Sequence, residues 1–212
     1  SKVVFTKEED APRILEQAYA MQKSMQGQAS GYDLLTQCYG GLLLYQADLM
    51  TWPGAWHQQN EFESQLLSFV HIFVGGKGAP TTELLKDTVP WLAKKQGELI
   101  QLSNSLVDML LHFWRSPSLE SKKNFFTQLQ AWRVFFSSAP HYPKNLFQQL
   151  NVIPGLDHSW TYKSSGAGGE DALILFGDKQ DLVFATKVLQ DRGWFRLDLK
   201  LAKQGLSFAS HR

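Results

Sequence analysis

Cysteine is nearly absent from the chain, since Cys38 is the single one in 212 residues. One cysteine excludes a disulfide within the chain and any zinc site built from several cysteines, and it is typical of a reducing, cytoplasmic setting. The six histidines lie too far apart in sequence to form a local metal-binding pair, so we expect no metal site from the chain itself. No apolar run approaches membrane-spanning length, and the opening residues 1–4 (Ser-Lys-Val-Val) are not typical of a signal peptide.

The chain also lacks an excess of either charge. It has 21 basic and 20 acidic residues with no long run of one sign, for a net charge of +1. Bulk electrostatics therefore give no reason to expect binding to nucleic acid or to an anionic membrane. With 43% hydrophobic and 19% charged residues, the composition is that of a globular protein with one or two small domains.

The first third of the chain predicts a helix, a strand and a connection. Asp10 followed by Pro12 begins the helix, and Gly27 ends its apolar repeat. Residues 39–45 (Tyr-Gly-Gly-Leu-Leu-Leu-Tyr) predict a buried strand. Residues 48–62 carry turn signals and predict a connection between two substructures.

The rest of the chain predicts helices first and then a mixture of strands and helices. The patterns predict a strand at Leu66–Val74, a helix capped by Thr81 or Thr82, a helix that Pro90 begins and that runs to Phe113, a helix over Ser118–Ser137 and a short helix after Pro143. Further strands are predicted at Trp160–Lys163, Ala172–Phe176 and Trp194–Leu199, with a helix over Lys179–Gln190. About four strands with the helices grouped on one side indicate an α+β fold with an antiparallel sheet.

A glycine-rich run, residues 163–169 (Lys-Ser-Ser-Gly-Ala-Gly-Gly), leads directly into the strand at Ala172. Its three glycines can adopt positive φ and present backbone N–H groups as a concave anion site, and its serines add hydroxyl donors. This chemistry predicts phosphate binding. A tight turn between two strands is the alternative that such a run leaves open.

Two other glycine-containing segments precede this run, and the three together resemble a known family. The first is Gly27–Asp33, which leads into Tyr39-Gly40-Gly41, and the second is Gly75–Thr82 after a predicted strand. In this order the three motifs resemble the GHMP kinase superfamily, which includes galactokinase, homoserine kinase, mevalonate kinase and phosphomevalonate kinase. Residues Lys163–Asp171 are most similar to the third motif of bacterial phosphomevalonate kinases, with Glu170 in place of a further glycine.

The resemblance implies an ATP-dependent kinase that uses Mg²⁺ and phosphorylates a small-molecule acceptor, phosphomevalonate first and mevalonate second. It implies that Asp33 accepts or orients the proton of the acceptor oxygen, although a carboxylate after Ser-Gly also commonly caps a turn or helix. The other residues that it assigns to substrate or phosphate binding are Ser30, Gly31, Lys77, Ser165, Gly166, Ala167, Gly168 and Gly169. For Lys77, an ordinary solvated lysine is the alternative.

The family's nucleotide loop, Pro-x-x-x-Gly-Leu-Gly-Ser-Ser, is not found in these residues. The resemblance therefore implies the C-terminal portion of a GHMP kinase, with residues 1–60 as the end of the N-terminal domain and 61–212 as the C-terminal domain. We expect these residues alone to bind ATP poorly and to be inactive, and either the missing N-terminal half or self-association to cover exposed apolar surface. A non-catalytic ligand-binding or regulatory module derived from such a kinase is the alternative function.

Overall fold

The computed structural model describes residues 11–26, 31–46, 52–75, 81–164 and 171–202. The chain divides into two compact units. The second unit is Gln65–Leu199, and the first combines the residues before Gln65 with those after Leu199. No helix in the described ranges is long and apolar enough to cross a membrane.

The first unit combines two helices with a short hairpin. Its elements are α1 (Ala11–Gln26), α2 (Tyr32–Tyr39), β1 (Leu43–Gln46), β2 (Ala55–Gln58) and a 3₁₀ turn (Asn60–Phe62). The strands β1 and β2 pair antiparallel, with Leu43 opposite Gln58. The predicted first helix is confirmed, because α1 ends at the residue before Gly27.

The predicted buried strand at residues 39–45 is wrong in its first half. Tyr39 ends helix α2, and Gly40 follows it with a φ of 68°, a conformation that stops a helix and suits glycine. The strand begins only at Leu43, and its apolar residues are half-buried. The predicted connection at residues 48–62 is also corrected, because it contains strand β2 and the 3₁₀ turn.

The second unit is built on an antiparallel sheet of four strands. Its strands are β3 (Val70–Val74), β4 (Trp160–Ser164), β5 (Ala172–Gly177) and β6 (Phe195–Arg196), in the spatial order β4-β5-β3-β6. Its helices are α3 (Glu63–Phe69), which begins two residues before the unit, α4 (Thr81–Ala93), α5 (Gln96–Arg115), α6 (Leu119–Phe136), α7 (Lys144–Asn151) and α8 (Val183–Asp191). The predicted α+β class and antiparallel sheet are confirmed.

Helices cover both faces of this sheet, and not one side as the sequence predicted. Successive residues of β5 point to opposite faces. Leu173 and Leu175 belong to a buried cluster with α7 and α8, which includes Leu150 and Leu189. Phe176 belongs to a second cluster, with side chains of α3, α5 and α6. The sheet is therefore the middle of three layers.

Two element boundaries in the second unit differ from the prediction. The apolar run at Leu66–Val74 is helical up to Phe69, and only Val70–Val74 forms a strand. Pro90 does not begin a helix but lies inside α4, which continues to Ala93. The next residue, Trp91, packs on the ring of Phe135 in α6 at a centroid distance of 5.1 Å. This packing stabilises the last turn of α4 in spite of the hydrogen bond that a proline removes.

The helix predicted over Ser118–Ser137 is confirmed, and its first turn shows why. The Ser118 hydroxyl accepts a hydrogen bond from the Ser121 backbone N–H at 3.0 Å, and the Ser121 hydroxyl reaches the Ser118 N–H at 2.9 Å. The short helix after Pro143 is also confirmed. The last helix begins at Val183 and the last strand is only Phe195–Arg196, so both are shorter than predicted.

Candidate functional site

The predicted glycine-rich segments of the second unit attach to one end of its sheet. In the antiparallel register, Ser164 at the end of β4 lies opposite Leu173, and Val74 at the end of β3 lies opposite Ala172. The N–H of Gly75 donates a hydrogen bond to the carbonyl oxygen of Asp171 at 2.9 Å. These strand termini lie at the same end of the sheet. We call it the loop end of the sheet and define it by Gly75, Ser164, Asp171 and Ala172.

The two segments themselves lie outside the described residues, apart from their ends. This applies to Lys77 and to the predicted phosphate-binding residues Ser165, Gly166, Ala167, Gly168 and Gly169. The described ends still bear on the tight-turn alternative. Strands β4 and β5 are hairpin partners, but residues 165–171 separate them, which is longer than the two to five residues that a hairpin turn needs. The connection is therefore longer than a minimal hairpin turn.

Asp171 holds the exit of this connection in place. Its carboxylate oxygen Oδ1 accepts a hydrogen bond from the N–H of Ala172 at 2.9 Å, while its backbone carbonyl accepts from Gly75. One residue therefore anchors the start of β5 to the end of β3. The place of an aspartate after a glycine run matches the motif that the sequence resembles.

Lys163 lies one residue before the end of β4 and is half-buried. Its ammonium nitrogen lies 5.6 Å from the centroid of the Trp132 ring in α6. Loss of water around the ammonium group lowers the pKa of Lys163 from the ordinary value of lysine. The sequence analysis did not select this residue. The available signal was its position, a cationic side chain in a strand that leads directly into a glycine run.

Asp33 lies in the first unit, on the first turn of helix α2, and not in a loop. Its carboxylate oxygen Oδ2 accepts a hydrogen bond from the Gln22 side-chain amide of α1 at 3.1 Å. A carboxylate on a first turn is stabilised by the helix dipole, but the start of α2 has no side-chain capping hydrogen bond. Ser30, predicted beside Asp33, lies outside the described residues.

Gly31 has a structural reason to be glycine that involves no ligand. Its φ is 70°, and a Cβ atom there would lie 2.3 Å from the indole nitrogen of Trp52. The Trp52 ring is in turn stacked on the ring of Tyr19 in α1, with a centroid distance of 3.9 Å. The glycine therefore lets an aromatic side chain cover the start of α2.

A separate cavity of about 320 Å³ lies beside α6, and Arg133, Asp157, Tyr142 and Asn151 are among its lining residues. Arg133 donates to Asp157 at 2.5 and 2.6 Å, to the Thr161 hydroxyl and to a backbone carbonyl of β4. The guanidinium group therefore has its hydrogen-bond partners within the protein. Its role is to attach α6 to the edge of the sheet.

The chain has a GHMP-kinase-like fold, because solved kinases of this type superpose on most of it. A mevalonate kinase structure covers 91% of the chain at a TM-score of 0.60 and 18% identity. The L. major mevalonate kinase in complex with R-mevalonate covers 88% at 0.55 and 16%, and the Lin0012 protein from Listeria innocua covers 91% at 0.59 and 15%. The fold that the sequence motifs implied is therefore confirmed.

The chain spans 57–60% of the length of these solved structures. No protein-family model matches the chain, and no curated protein matches it. At 15–18% identity the likeness shows the fold and leaves the reaction to be argued from the residues.

Proposed function

We propose that the chain functions in an ATP-dependent small-molecule kinase of the GHMP type, with phosphomevalonate as the first acceptor to test and mevalonate as the second. The observation that carries the proposal is the hydrogen bond between Gly75 and Asp171. It places the attachment points of two glycine-rich segments at one edge of a sheet in a kinase-like fold. Glycine-rich segments can supply the backbone N–H groups that a phosphorylated ligand requires.

The residue roles follow the chemistry of phosphoryl transfer. Residues 165–169 and Lys77 would bind phosphate, and Asp33 would orient the hydroxyl or phosphate oxygen that attacks. The cofactors would be ATP and Mg²⁺. The described residues contain no group of three or more His, Cys, Asp or Glu side chains that could hold a metal ion. A Mg²⁺ ion on nucleotide phosphates would need only one or two protein carboxylates.

The first experiment measures ADP release by the full-length protein that carries this sequence, with phosphomevalonate and then mevalonate as acceptor. Asp33→Asn removes the negative charge but keeps the shape of the side chain, including an amide oxygen that can still accept from Gln22. We expect kcat to fall on the order of 10²-fold or more, while the affinity for the acceptor stays nearly unchanged.

The matched control is Asp108→Asn, which makes the same change at an exposed position of α5 and should leave kcat unchanged. An Asp33→Asn variant with the kcat of the wild type would remove Asp33 from the mechanism. Saturable binding of an acceptor without any ADP release would favour the non-catalytic binding module over the kinase.

A further inference from the structure

The two outer strands of the sheet in the second unit, β4 and β6, differ in what lies beside them. At the start of β4, the N–H of Asp157 donates to the carbonyl oxygen of Trp160 at 2.7 Å, and Arg133 of α6 donates to the carbonyl oxygen of Tyr162 at 3.1 Å. Among the residues that the structure describes, no strand lies beyond β6, and residues 195–198 are all exposed. The edge of the sheet at β6 is therefore open.

The register of β6 with β3 determines which backbone groups this edge presents. The N–H of Leu197 donates to the carbonyl oxygen of Ile72 at 2.9 Å, and Arg196 lies opposite Phe73. Along an antiparallel strand, residues that bond to the neighbouring strand alternate with residues whose N–H and C=O groups point away from it. Leu197 bonds to β3, so the backbone groups of Arg196 and Asp198 point to the open side. They offer donors and acceptors to a further strand.

The charged side chains of this edge are complementary to a second copy of the same strand. Arg196 and Asp198 are two residues apart and lie on one face of the sheet, and neither has an ion pair within the described part of the chain. If two copies pair antiparallel about a twofold axis at Leu197, Arg196 of each copy lies opposite Asp198 of the other. An edge protected by lysines alone would repel a second copy, whereas this edge attracts one.

The opposite face of β6 carries apolar side chains that the same pairing would cover. Phe195 is 55% exposed and Leu197 is 36% exposed. With the axis at Leu197, the two Leu197 side chains lie opposite each other, and Phe195 lies opposite Leu199 of the second copy. The pairing thus joins opposite charges on one face and apolar side chains on the other. The contact involves few residues, which is typical of a weak dimer.

We propose that the protein forms a homodimer in which β6 pairs antiparallel with β6 of a second copy. The pairing joins the two four-stranded sheets into one continuous sheet. Arg196 of each copy and Asp198 of the other exchange both of their backbone hydrogen bonds, because these are the residues whose backbone groups point outward. The dimer does not depend on the proposed kinase activity, since no ligand takes part in the contact.

The experiment is sedimentation velocity of the full-length protein without ligand, over roughly 1 to 300 µM protein to detect a weak dimer. The average mass of the wild type should rise toward that of a dimer across this range. Arg196→Asp and Asp198→Arg each place like charges opposite each other, so each should raise the dissociation constant on the order of 10²-fold. The double variant Arg196→Asp/Asp198→Arg restores opposite charges and should dimerise as the wild type does.

A mixture of the two single variants tests the register of the pairing. In the mixed dimer, the aspartate introduced by Arg196→Asp lies opposite the arginine introduced by Asp198→Arg. The mixture should therefore form a dimer that neither variant forms alone, which misfolded variants could not do. Asp191→Arg is the matched control, because it makes the same change of charge at the exposed end of α8 and should dimerise as the wild type does.

Four results would overturn the proposal. The first is a wild type that stays monomeric over the whole concentration range, and the second is a dimer that persists in both single variants. The third is an equal loss of dimer in Asp191→Arg, because net charge would then be the cause. The fourth is a mixture of the single variants that stays monomeric, because the antiparallel register requires their charges to match. Absence of ADP release would refute the kinase and leave the masses unchanged.

Discussion

The two units differ in how they are stabilised. In the described part of the first unit, the buried apolar side chains are Leu15, Leu35 and Phe62, while Met21 and Met25 of α1 are 64% and 81% exposed. The second unit has two buried clusters on opposite faces of a four-stranded sheet. Burial of apolar surface is the main favourable term in folding. The second unit therefore gains more of its stability from buried apolar side chains than the first unit does.

Local geometry has a larger role in the first unit. Two stacked aromatic pairs, Tyr19 with Trp52 and Tyr39 with Trp56, join its elements. Gly31 and Gly41 both have positive φ and lie against side chains that a Cβ atom would displace. We therefore expect the first unit to be sensitive to backbone changes and the second to changes in buried side chains. Native-state hydrogen exchange should show openings of lower free energy in the first unit.

The largest expected effect is that of Arg133→Met in the second unit. The Arg133 and Asp157 side chains are only 9% and 15% exposed, and removal of the arginine leaves the carboxylate without its cation. Loss of one partner of a buried ion pair destabilises by about 3–5 kcal/mol. Urea unfolding followed by fluorescence measures this change. Arg115→Met, at an exposed position of α5, is the control and should change stability by less than about 0.5 kcal/mol.

The next effect is that of Gly31→Ala in the first unit. The φ of 70° disfavours any side chain, and the new Cβ atom would displace Trp52 from its contact with the start of α2. We expect a loss of about 1–3 kcal/mol, together with faster hydrogen exchange in α1 and α2.

Gly97→Ala is the matched control, since Gly97 is helical and has no atom within 4 Å of the added methyl group. It should stabilise α5 by about 0.5–1 kcal/mol. If Gly31→Ala costs as little as a surface substitution, the contrast between the two units does not hold, because the first unit then does not depend on this backbone conformation.

The sequence predicts those elements whose ends carry local signals. Ser118 begins α6 and Pro143 precedes α7, as predicted. The apolar run at Leu66–Val74 has no period that separates helix from strand, so its division at Phe69 could not be read from the residues. Phe69 packs against Phe113 and Phe126, which are far from it in sequence. That division therefore depends on tertiary packing.

The candidate site divides in the same way. The glycine runs are visible in the sequence because glycine is rare in the interior of strands and helices. Their attachment to the same end of the sheet depends on the register of β3 with β5, in which Val74 lies opposite Ala172. Lys163 and Trp132 lie 31 positions apart in the sequence, so no local pattern predicts their contact. Sequence reasoning therefore included Lys163 in the glycine-run motif but gave it no role in the site.

The smallest expected effect is the pH dependence contributed by His71 of β3, which is 1% exposed. Its Nε2 lies 3.0 Å from the Gly177 carbonyl oxygen and must carry the proton to donate, which leaves Nδ1 buried and without a partner among the described residues. Burial, then the charge of Arg196, lowers the pKa of His71 in the folded protein. Because the unfolded histidine titrates at about 6.5, the unfolded state binds the extra proton below that pH.

The stability of the second unit should therefore be fully present above about pH 6.5 and fall as the pH drops below it. Urea midpoints measured in steps between neutral and mildly acidic pH test this sign. His71→Gln can keep a side-chain N–H toward Gly177 but cannot bind a proton in this range, so its midpoint should fall less on acidification. His112→Gln, at an exposed position of α5, should keep the slope of the wild type. Equal slopes in all three proteins would mean that the buried histidine is as easily protonated as a free one. In that case, the close packing around His71 would not prevent its side chain from becoming charged.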